Sequence, residues 1–307
     1  DCALAVRLPA VLFHLGTTLC VFSLGSRLEQ GCKTGFFATL FLQISVAGNA
    51  LGFITTPDAP LGFCWGLAAW GLVHWLRDHE SYGWVWLGLG LGFGAMAKYN
   101  MVFFVPGAVL ALLAFPSSRR LFLGFRLWAA AGIAALGTFP VLYWNATHEW
   151  ISFRFQLGHG FKPAERLWSA SFGEFLVGQL GTIGPLLWPL LWFVTIAVLW
   201  HAWRRDDQQR FTLAAVALPM MTFFALNSFR SKVEANWPQV AYLTAMPLAA
   251  EWLIAEARRS WLKATVVTTA LLGALSLLQA YTLVIPLKPG SDMSTRLHGW
   301  TRMGELI

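Results

Sequence analysis

The side chains that could do chemistry in this sequence occur in four short groups, each next to a strongly apolar stretch. In the first group, residues 55–60, two prolines bracket the carboxylate of Asp58. This carboxylate could cap the helix that follows, because the first N–H groups of a helix lack partners and its dipole favours a negative charge there. Alternatively, a carboxylate held rigidly at a membrane surface could bind a hydroxyl group, a cation or a sugar.

The second group, Lys98, Tyr99 and Asn100, follows a stretch with glycine at every second position from 88 to 94. Glycine lets the backbones of neighbouring membrane helices approach closely, so this stretch predicts tight helix packing. The Lys98 side chain could simply extend from a helix end towards water. An ammonium group at this depth could instead pair with a lipid phosphate.

The third group, residues 143–156, alternates aromatic rings with hydrogen-bonding side chains. This composition is typical of carbohydrate sites, because rings stack on sugar faces while amides and acids bind hydroxyl groups. The segment could also be an amphipathic helix lying on the membrane, and the two interpretations are compatible. It contains the short N-glycosylation motif Asn145-Ala146-Thr147, which we interpret as unmodified because Asn145 lies too near the bilayer.

The fourth group, residues 227–238, contains two cations, one acid and two amides between apolar stretches. A solvated loop would account for this composition. Otherwise, charged groups at the membrane cost desolvation energy unless they meet a ligand or one another. Arg230 and Lys232 could therefore form an anion site, since the planar fork of an arginine binds phosphate oxygens through two hydrogen bonds.

The elements that must position these groups are membrane helices. The chain has 307 residues, of which 57% are apolar and 12% are charged, and its mean hydropathy is +0.57. Burying that much apolar surface in water would need a larger core than this chain can build, so the surplus must face lipid. A soluble globular enzyme is excluded, and we predict an all-α, polytopic transmembrane bundle that forms a single domain, residues 1–307.

Nucleic-acid binding and cysteine-based sites do not fit the sequence. The net charge is +7, but the basic residues are scattered between apolar segments and form no single stripe. The four cysteines show no CxxC spacing, so we predict neither a metal cluster nor a disulfide framework.

Apolar runs of about 15 to 25 residues predict about ten membrane-spanning segments. These are residues 4–24, 34–54, 61–76, 84–97, 101–115, 121–144, 176–200, 211–227, 237–254 and 262–285. When the connections are assigned alternately to two faces, one face receives short turns with many basic residues, and the positive-inside rule makes that face cytoplasmic. The four polar groups lie on the other face, where we expect the chemistry.

Taken in order, these motifs resemble the dolichyl-phosphate-mannose protein mannosyltransferase superfamily, which includes the bacterial aminoarabinose transferases of lipid A. The motifs are Arg7-Leu8-Pro9, Asp58-Ala59-Pro60-Leu61, Lys98-Tyr99, the segment from Trp144-Asn145 to Phe155-Gln156, and Glu234-Ala235-Asn236-Trp237-Pro238. The resemblance implies the GT-C fold, with an external aromatic-rich loop, in the bacterial inner membrane with a periplasmic active face. The family also has an earlier external loop with an acidic catalytic residue. That loop would precede residue 1, so we expect it and its helix to be missing from this chain.

The resemblance further implies transfer of a sugar from a polyprenyl-phosphate donor to a glycolipid, glycan or protein acceptor. Such a transfer needs a carboxylate to take the acceptor proton and cations to stabilise the phosphate leaving group. Asp58 is the candidate catalytic residue, and Lys98, Arg230 and Lys232 are candidate ligands of the donor phosphate. The candidate sugar or acceptor pocket consists of Tyr99, Trp144, Asn145, His148, Glu149, Trp150, Glu234, Asn236 and Trp237. The sequence identifies no definite cofactor, and a divalent cation beside Asp58 is compatible with it although no full ligand set is visible.

Two other classes of protein compete with this interpretation. A transporter or lipid flippase would also have many spans, but such proteins usually place ionisable groups near the middle of the bilayer. The predicted spans here are almost free of internal charge. A non-catalytic membrane paralogue is the second alternative.

Overall fold

The structure, a computed structural model, describes residues 3–79, 81–160, 168–283 and 285–286. Within these residues every regular element is helical, which confirms the predicted fold class. The α-helices are α1 Ala3–Ser26, α2 Cys32–Ile44, α3 Val46–Phe53, α4 Asp58–Arg77, α5 Gly83–Ala97, α6 Phe104–Ala114, α7 Pro116–Arg119, α8 Phe125–Thr147, α9 Ile151–Gly160, α10 Trp168–Ile183, α11 Leu187–Arg204, α12 Gln208–Asn227, α13 Tyr242–Leu253 and α14 Arg259–Thr282. Short 3-10 helices cover Tyr99–Phe103, Arg120–Leu123, Gln239–Ala241 and Glu256–Arg258.

Within the described residues, each of the predicted membrane segments falls mainly on helix, but several are broken. By length and composition, four of the described helices can cross a membrane, or up to seven if each bent pair forms one span. Helices α2 and α3 meet at 76°, and α10 and α11 meet at 97°. The first break occurs at Ser45, whose extended backbone ends α2 and whose hydroxyl caps α3. The second follows α10 at Gly184, whose φ of +124° favours glycine.

The helix ends form two separate polar regions, as the alternating topology predicts. At one end, the backbone N–H of Glu29 donates to Glu251 at 3.0 Å, and Arg210 binds the same carboxylate at 2.6 Å. This contact joins the α1–α2 connection to the start of α12 and the end of α13. We call this the basic end, because its connections hold the arginines assigned to the cytoplasmic face. At the other end, the site end, Thr55 donates to the carbonyl of Val6 at 2.9 Å.

Helix α5 packs between α4 and α8 through its glycines. A methyl group at Gly90 would lie 2.7 Å from the Ala68 nitrogen of α4, and one at Gly88 would lie 2.7 Å from the Ala130 oxygen of α8. Backbone contacts this close are available only to glycine, which explains the alternating glycines of the sequence. Because α4 begins at the site end and α5 finishes there, their close packing brings the residue after α5 next to the start of α4.

Replacing Gly90 with alanine is expected to lower the stability of the protein by about 1–3 kcal/mol, because the added methyl group forces α5 away from α4. The measurement is the thermal unfolding midpoint of the purified protein in detergent. Gly132→Ala on α8 is the matched control, since a methyl group there meets no atom within 4 Å. An equal midpoint for the two variants would contradict the packing argument.

Candidate functional site

Asp58 lies in the first turn of α4 and is only 6% exposed. Its carboxylate accepts a hydrogen bond from Lys98 Nζ at 2.6 Å through Oδ1 and one from Asn236 Nδ2 at 2.8 Å through Oδ2. Within the described part of the chain, these side chains are its hydrogen-bond partners, rather than the N–H groups of its own helix. The Asp58 side chain therefore does not cap the N–H groups of α4, although it does lie in the first turn, where the helix dipole favours its charge.

Lys98 directly follows the last residue of α5 and has an extended backbone, with φ −159° and ψ 137°. This conformation ends the helix. The Lys98 side chain is 24% exposed, against 8% for that of Asp58. Lys98 thus pairs with a buried carboxylate rather than extending to water, and its ammonium group has three N–H donors of which Asp58 needs only one.

Asn236 reaches Asp58 from the connection 228–238, which follows α12. The next residue, Trp237, accepts a hydrogen bond on its backbone oxygen from Asn100 Nδ2 at 3.2 Å. The Trp237 ring contacts Phe224 with their centroids 5.6 Å apart. The structure therefore joins the first, second and fourth polar groups of the sequence at the site end. It also places the amide of Asn236 on the carboxylate of Asp58, a contact that the sequence did not predict.

The two cations of the connection 228–238 are exposed and show no contact with Asp58 in the described residues. Lys232 forms an ion pair with Glu234 at 2.9 Å, and their side chains are 64% and 47% exposed. Arg230 lies on the same connection as Asn236, with its side chain exposed. Phosphate binding by Arg230 and Lys232, and a pocket role for Glu234, stay predictions.

The third polar group consists of the end of one helix, a short turn and the start of another helix, rather than an irregular loop. Helix α8 continues to Thr147, and α9 begins at Ile151 after a short turn. In this turn Glu149 and Trp150 have left-handed backbones, with φ of 54° and 58°. The regular hydrogen bonds of the two helices order the segment on both sides of the turn.

Tyr99 connects the second group to the third. Its hydroxyl lies 2.7 Å from Ser152 Oγ, and Ser152 donates to Asn145 Oδ1 at 2.5 Å. The Tyr99 ring also stacks on Phe153 with a centroid distance of 4.9 Å. Asn145 is fully buried, so its amide holds α8 and α9 together. Ser152 was missed as a site residue, although it lies within the segment that the sequence singled out.

The other aromatic residues of this segment lie at the surface. The Trp144 ring stacks on His148 at 4.3 Å and 11°, and the side chains of Trp144 and Trp150 are close to half exposed. His148 and Glu149 are also exposed. Exposed rings are compatible both with a sugar or acceptor surface and with a helix at the membrane interface. Their assignment to a pocket stays a prediction.

The carboxylate of Asp58 is surrounded by donors and not by metal ligands. Both oxygens accept hydrogen bonds from nitrogen atoms, so a divalent cation would have to displace Lys98 or Asn236. Among the described residues, no group of three or more His, Cys, Asp or Glu side chains could hold a metal ion. The geometry gives no ligand set for a cation beside Asp58.

The fold is a multi-helix membrane bundle, and its site combines a buried acid, a lysine and an amide at one end. Together they define a class of membrane proteins that have a polar site at the bilayer surface. Residues 1–144 match the family described as dolichyl-phosphate-mannose-protein mannosyltransferase. The chain is 26% identical over 298 residues to the lipid A galacturonosyltransferase RgtD of Rhizobium johnstonii, covering 94% of this chain and 59% of that protein.

The fold has a counterpart among solved structures. It resembles ArnT from Cupriavidus metallidurans bound to undecaprenyl phosphate with a TM-score of 0.64 and 19% identity, covering 94% of this chain and 53% of ArnT. The apo state of ArnT matches with a TM-score of 0.61. The chain therefore spans a little over half the length of the relatives it matches. These similarities agree with the resemblance seen in the sequence: residues 1–144 match the mannosyltransferase family, the chain is similar in sequence to RgtD, and its fold is similar to that of ArnT.

Replacing Lys98 with methionine is expected to destabilise the protein by about 3 kcal/mol, because it leaves the buried Asp58 charge without its cation. The double variant Asp58→Asn with Lys98→Met should recover most of that loss, since no unpaired charge remains. Thermal unfolding of the two variants in detergent measures the difference. If the double variant unfolds at or below the midpoint of Lys98→Met, the ion pair does not stabilise the site end.

Proposed function

We propose that this chain is part of a membrane glycosyltransferase that moves a sugar from a polyprenyl-phosphate donor to an acceptor at the non-cytoplasmic face of the bacterial inner membrane. The observation that carries the proposal is the buried Asp58 carboxylate, bound by the partly exposed Lys98 and Asn236, at the end of a membrane bundle. A donor with a polyprenyl tail stays in the bilayer, so its phosphate is presented at the depth where the helices end. This explains why the site lies at the end of the helices.

Lys98 is suited to the donor phosphate. Its side chain is partly exposed, and its ammonium group has N–H donors beyond the one that binds Asp58. A cation held there stabilises the negative charge that builds on the phosphate as the bond to the sugar breaks. Asp58 keeps the ammonium group in place, and its carboxylate has further lone pairs that could take the proton of an acceptor hydroxyl.

The relatives support both substrates of the proposed reaction. ArnT has been crystallised with undecaprenyl phosphate, a polyprenyl phosphate, and RgtD is named as a lipid A galacturonosyltransferase. Among the acceptors open at the level of sequence, a glycolipid of the lipid A type is therefore favoured over a glycan or a protein. Periplasmic orientation is supported by the basic connections at the opposite end of the bundle.

A transporter or flippase is less compatible with this geometry. The paired acid and lysine lie at helix ends, whereas transporters usually bind their substrates near the middle of the bilayer. A polar cluster at the membrane surface suits chemistry on a headgroup better than passage through the bundle.

Replacing Asp58 with asparagine is expected to reduce sugar transfer by about 100-fold or more, because the variant cannot take a proton or hold the lysine by charge. The assay measures turnover of a polyprenyl-phosphate sugar in membranes that contain the protein. Asp206→Asn, an exposed acid at the basic end, is the matched control and should transfer sugar normally. Unchanged turnover in a folded Asp58→Asn variant would remove Asp58 from the reaction.

Replacing Arg230 with alanine should instead raise the KM for the donor about tenfold at nearly constant kcat, as expected for the loss of one charge-assisted hydrogen bond to phosphate. Initial rates over a range of donor concentrations separate the two constants. Arg205→Ala, an exposed arginine at the basic end, serves as the control for lost charge. If both variants keep the KM of the unaltered protein, Arg230 does not bind the donor.

A further inference from the structure

Asn236 is held in place by hydrogen bonds to the residues on either side of it. The backbone oxygen of Ala235 accepts from Gln179 Nε2 at 2.9 Å, and the backbone oxygen of Trp237 accepts from Asn100 Nδ2 at 3.2 Å. Residues 232–234 of this connection have no regular secondary structure. Side-chain amides from distant helices therefore fix the peptide groups that carry Asn236.

Gln179 is the end of a chain of buried hydrogen bonds. Trp188 Nε1 donates to the hydroxyl of Tyr242 at 2.9 Å, and that hydroxyl donates to Gln179 Oε1 at 2.7 Å. The side chains of Gln179 and Tyr242 have no exposed surface. Trp188 lies on α11, Tyr242 on α13 and Gln179 on α10. This series of hydrogen bonds therefore links three helices to residues 228–238. We call Trp188, Tyr242 and Gln179 the relay.

The direction of the relay follows from the chemistry of its two ends. An indole N–H can only donate, so the Tyr242 oxygen must accept from Trp188 and its single hydrogen is left for Gln179. This forces Gln179 Oε1 to accept and turns its NH₂ group towards Ala235. A backbone oxygen can only accept, so the last bond also has one possible direction. The orientation of the Gln179 amide is therefore determined by its neighbours.

We propose that Gln179 and Tyr242 are positioning residues that hold Asn236 against the carboxylate of Asp58. The relay fixes Ala235, Ala235 is adjacent to Asn236, and Asn236 binds Asp58 Oδ2. Neither Gln179 nor Tyr242 contacts Asp58 directly among the described hydrogen bonds, so both act through Asn236. The effect on turnover rests on the proposed transferase function, whereas the effect on the connection does not.

The first measurement is independent of activity. Gln179→Met keeps the length of the side chain and removes both hydrogen bonds, so hydrogen–deuterium exchange of residues 228–238 should rise. Tyr242→Phe keeps the ring and leaves Gln179 free to bind Ala235, so it should raise the exchange of residues 228–238 less than Gln179→Met does. The matched controls are Thr182→Val on α10 and Thr244→Val on α13, whose hydroxyls donate, among the described hydrogen bonds, to Gly178 of α10 and to Ala241 in the 3-10 turn just before α13. Exchange that is unchanged in both relay variants would overturn the proposal.

The second measurement is turnover. Gln179→Met should lower kcat about tenfold with the donor KM within about twofold, because a displaced amide misorients the reacting groups without removing the donor site. In a background with Asn236→Ala, the same substitution should change kcat by less than about twofold, since the residue through which it acts is gone. A merely structural role would instead lower kcat in both backgrounds. Increased exchange with unaltered kcat would also overturn the positioning role.

The two proposals fail in different ways. If the unaltered protein transfers no sugar from any polyprenyl-phosphate donor, the proposed function is wrong, and the exchange measurement alone decides whether the relay holds the connection. If the unaltered protein is active and Asp58→Asn is not, but both relay variants match their threonine controls, the relay proposal alone is wrong.

Discussion

The charge of Asp58 is the constraint on which the site end depends. A carboxylate with 6% of its surface exposed loses most of its hydration, and an unpaired charge in such a place costs several kcal/mol. Lys98 supplies the opposite charge, and Asn236 supplies a second donor to the other oxygen. The start of α4, the end of α5 and the connection after α12 must therefore meet at one point.

Two kinds of structure bring these groups together. Lys98 is placed by regular helix packing, because the glycines of α5 let its backbone lie directly against α4. Asn236 lies outside any regular element, and side chains place it instead. The amides of Asn100 and Gln179 bind the backbone oxygens on its two sides. Lys98 is thus held by packed helices. Asn236, the second partner of Asp58, is held by a connection that hydrogen bonds fix in place.

Much of this arrangement could be predicted. The sequence indicated the helical class, a resemblance to a family that the comparisons also find, and Asp58 and Lys98 as candidate site residues. It assigned those two residues separate roles, however, and it grouped Asn236 with a sugar pocket. Gln179 and Tyr242 were not singled out, although a glutamine inside an apolar helix was an available signal. The segment from Trp144 to Trp150 was identified by its aromatic composition, and a helix was one of its two interpretations, but the sharp turn at Glu149 and Trp150 was not predicted.

What the sequence determined by itself is local in origin. Runs of apolar residues specify membrane helices, because the backbone must form its hydrogen bonds internally where there is no water. Polar residues between the runs specify which segments lie at the helix ends. Only the tertiary structure decided which of these polar residues become partners. Asp58 lies 40 residues from Lys98 and 178 residues from Asn236, so their contacts depend on how the helices pack together, which no local pattern encodes.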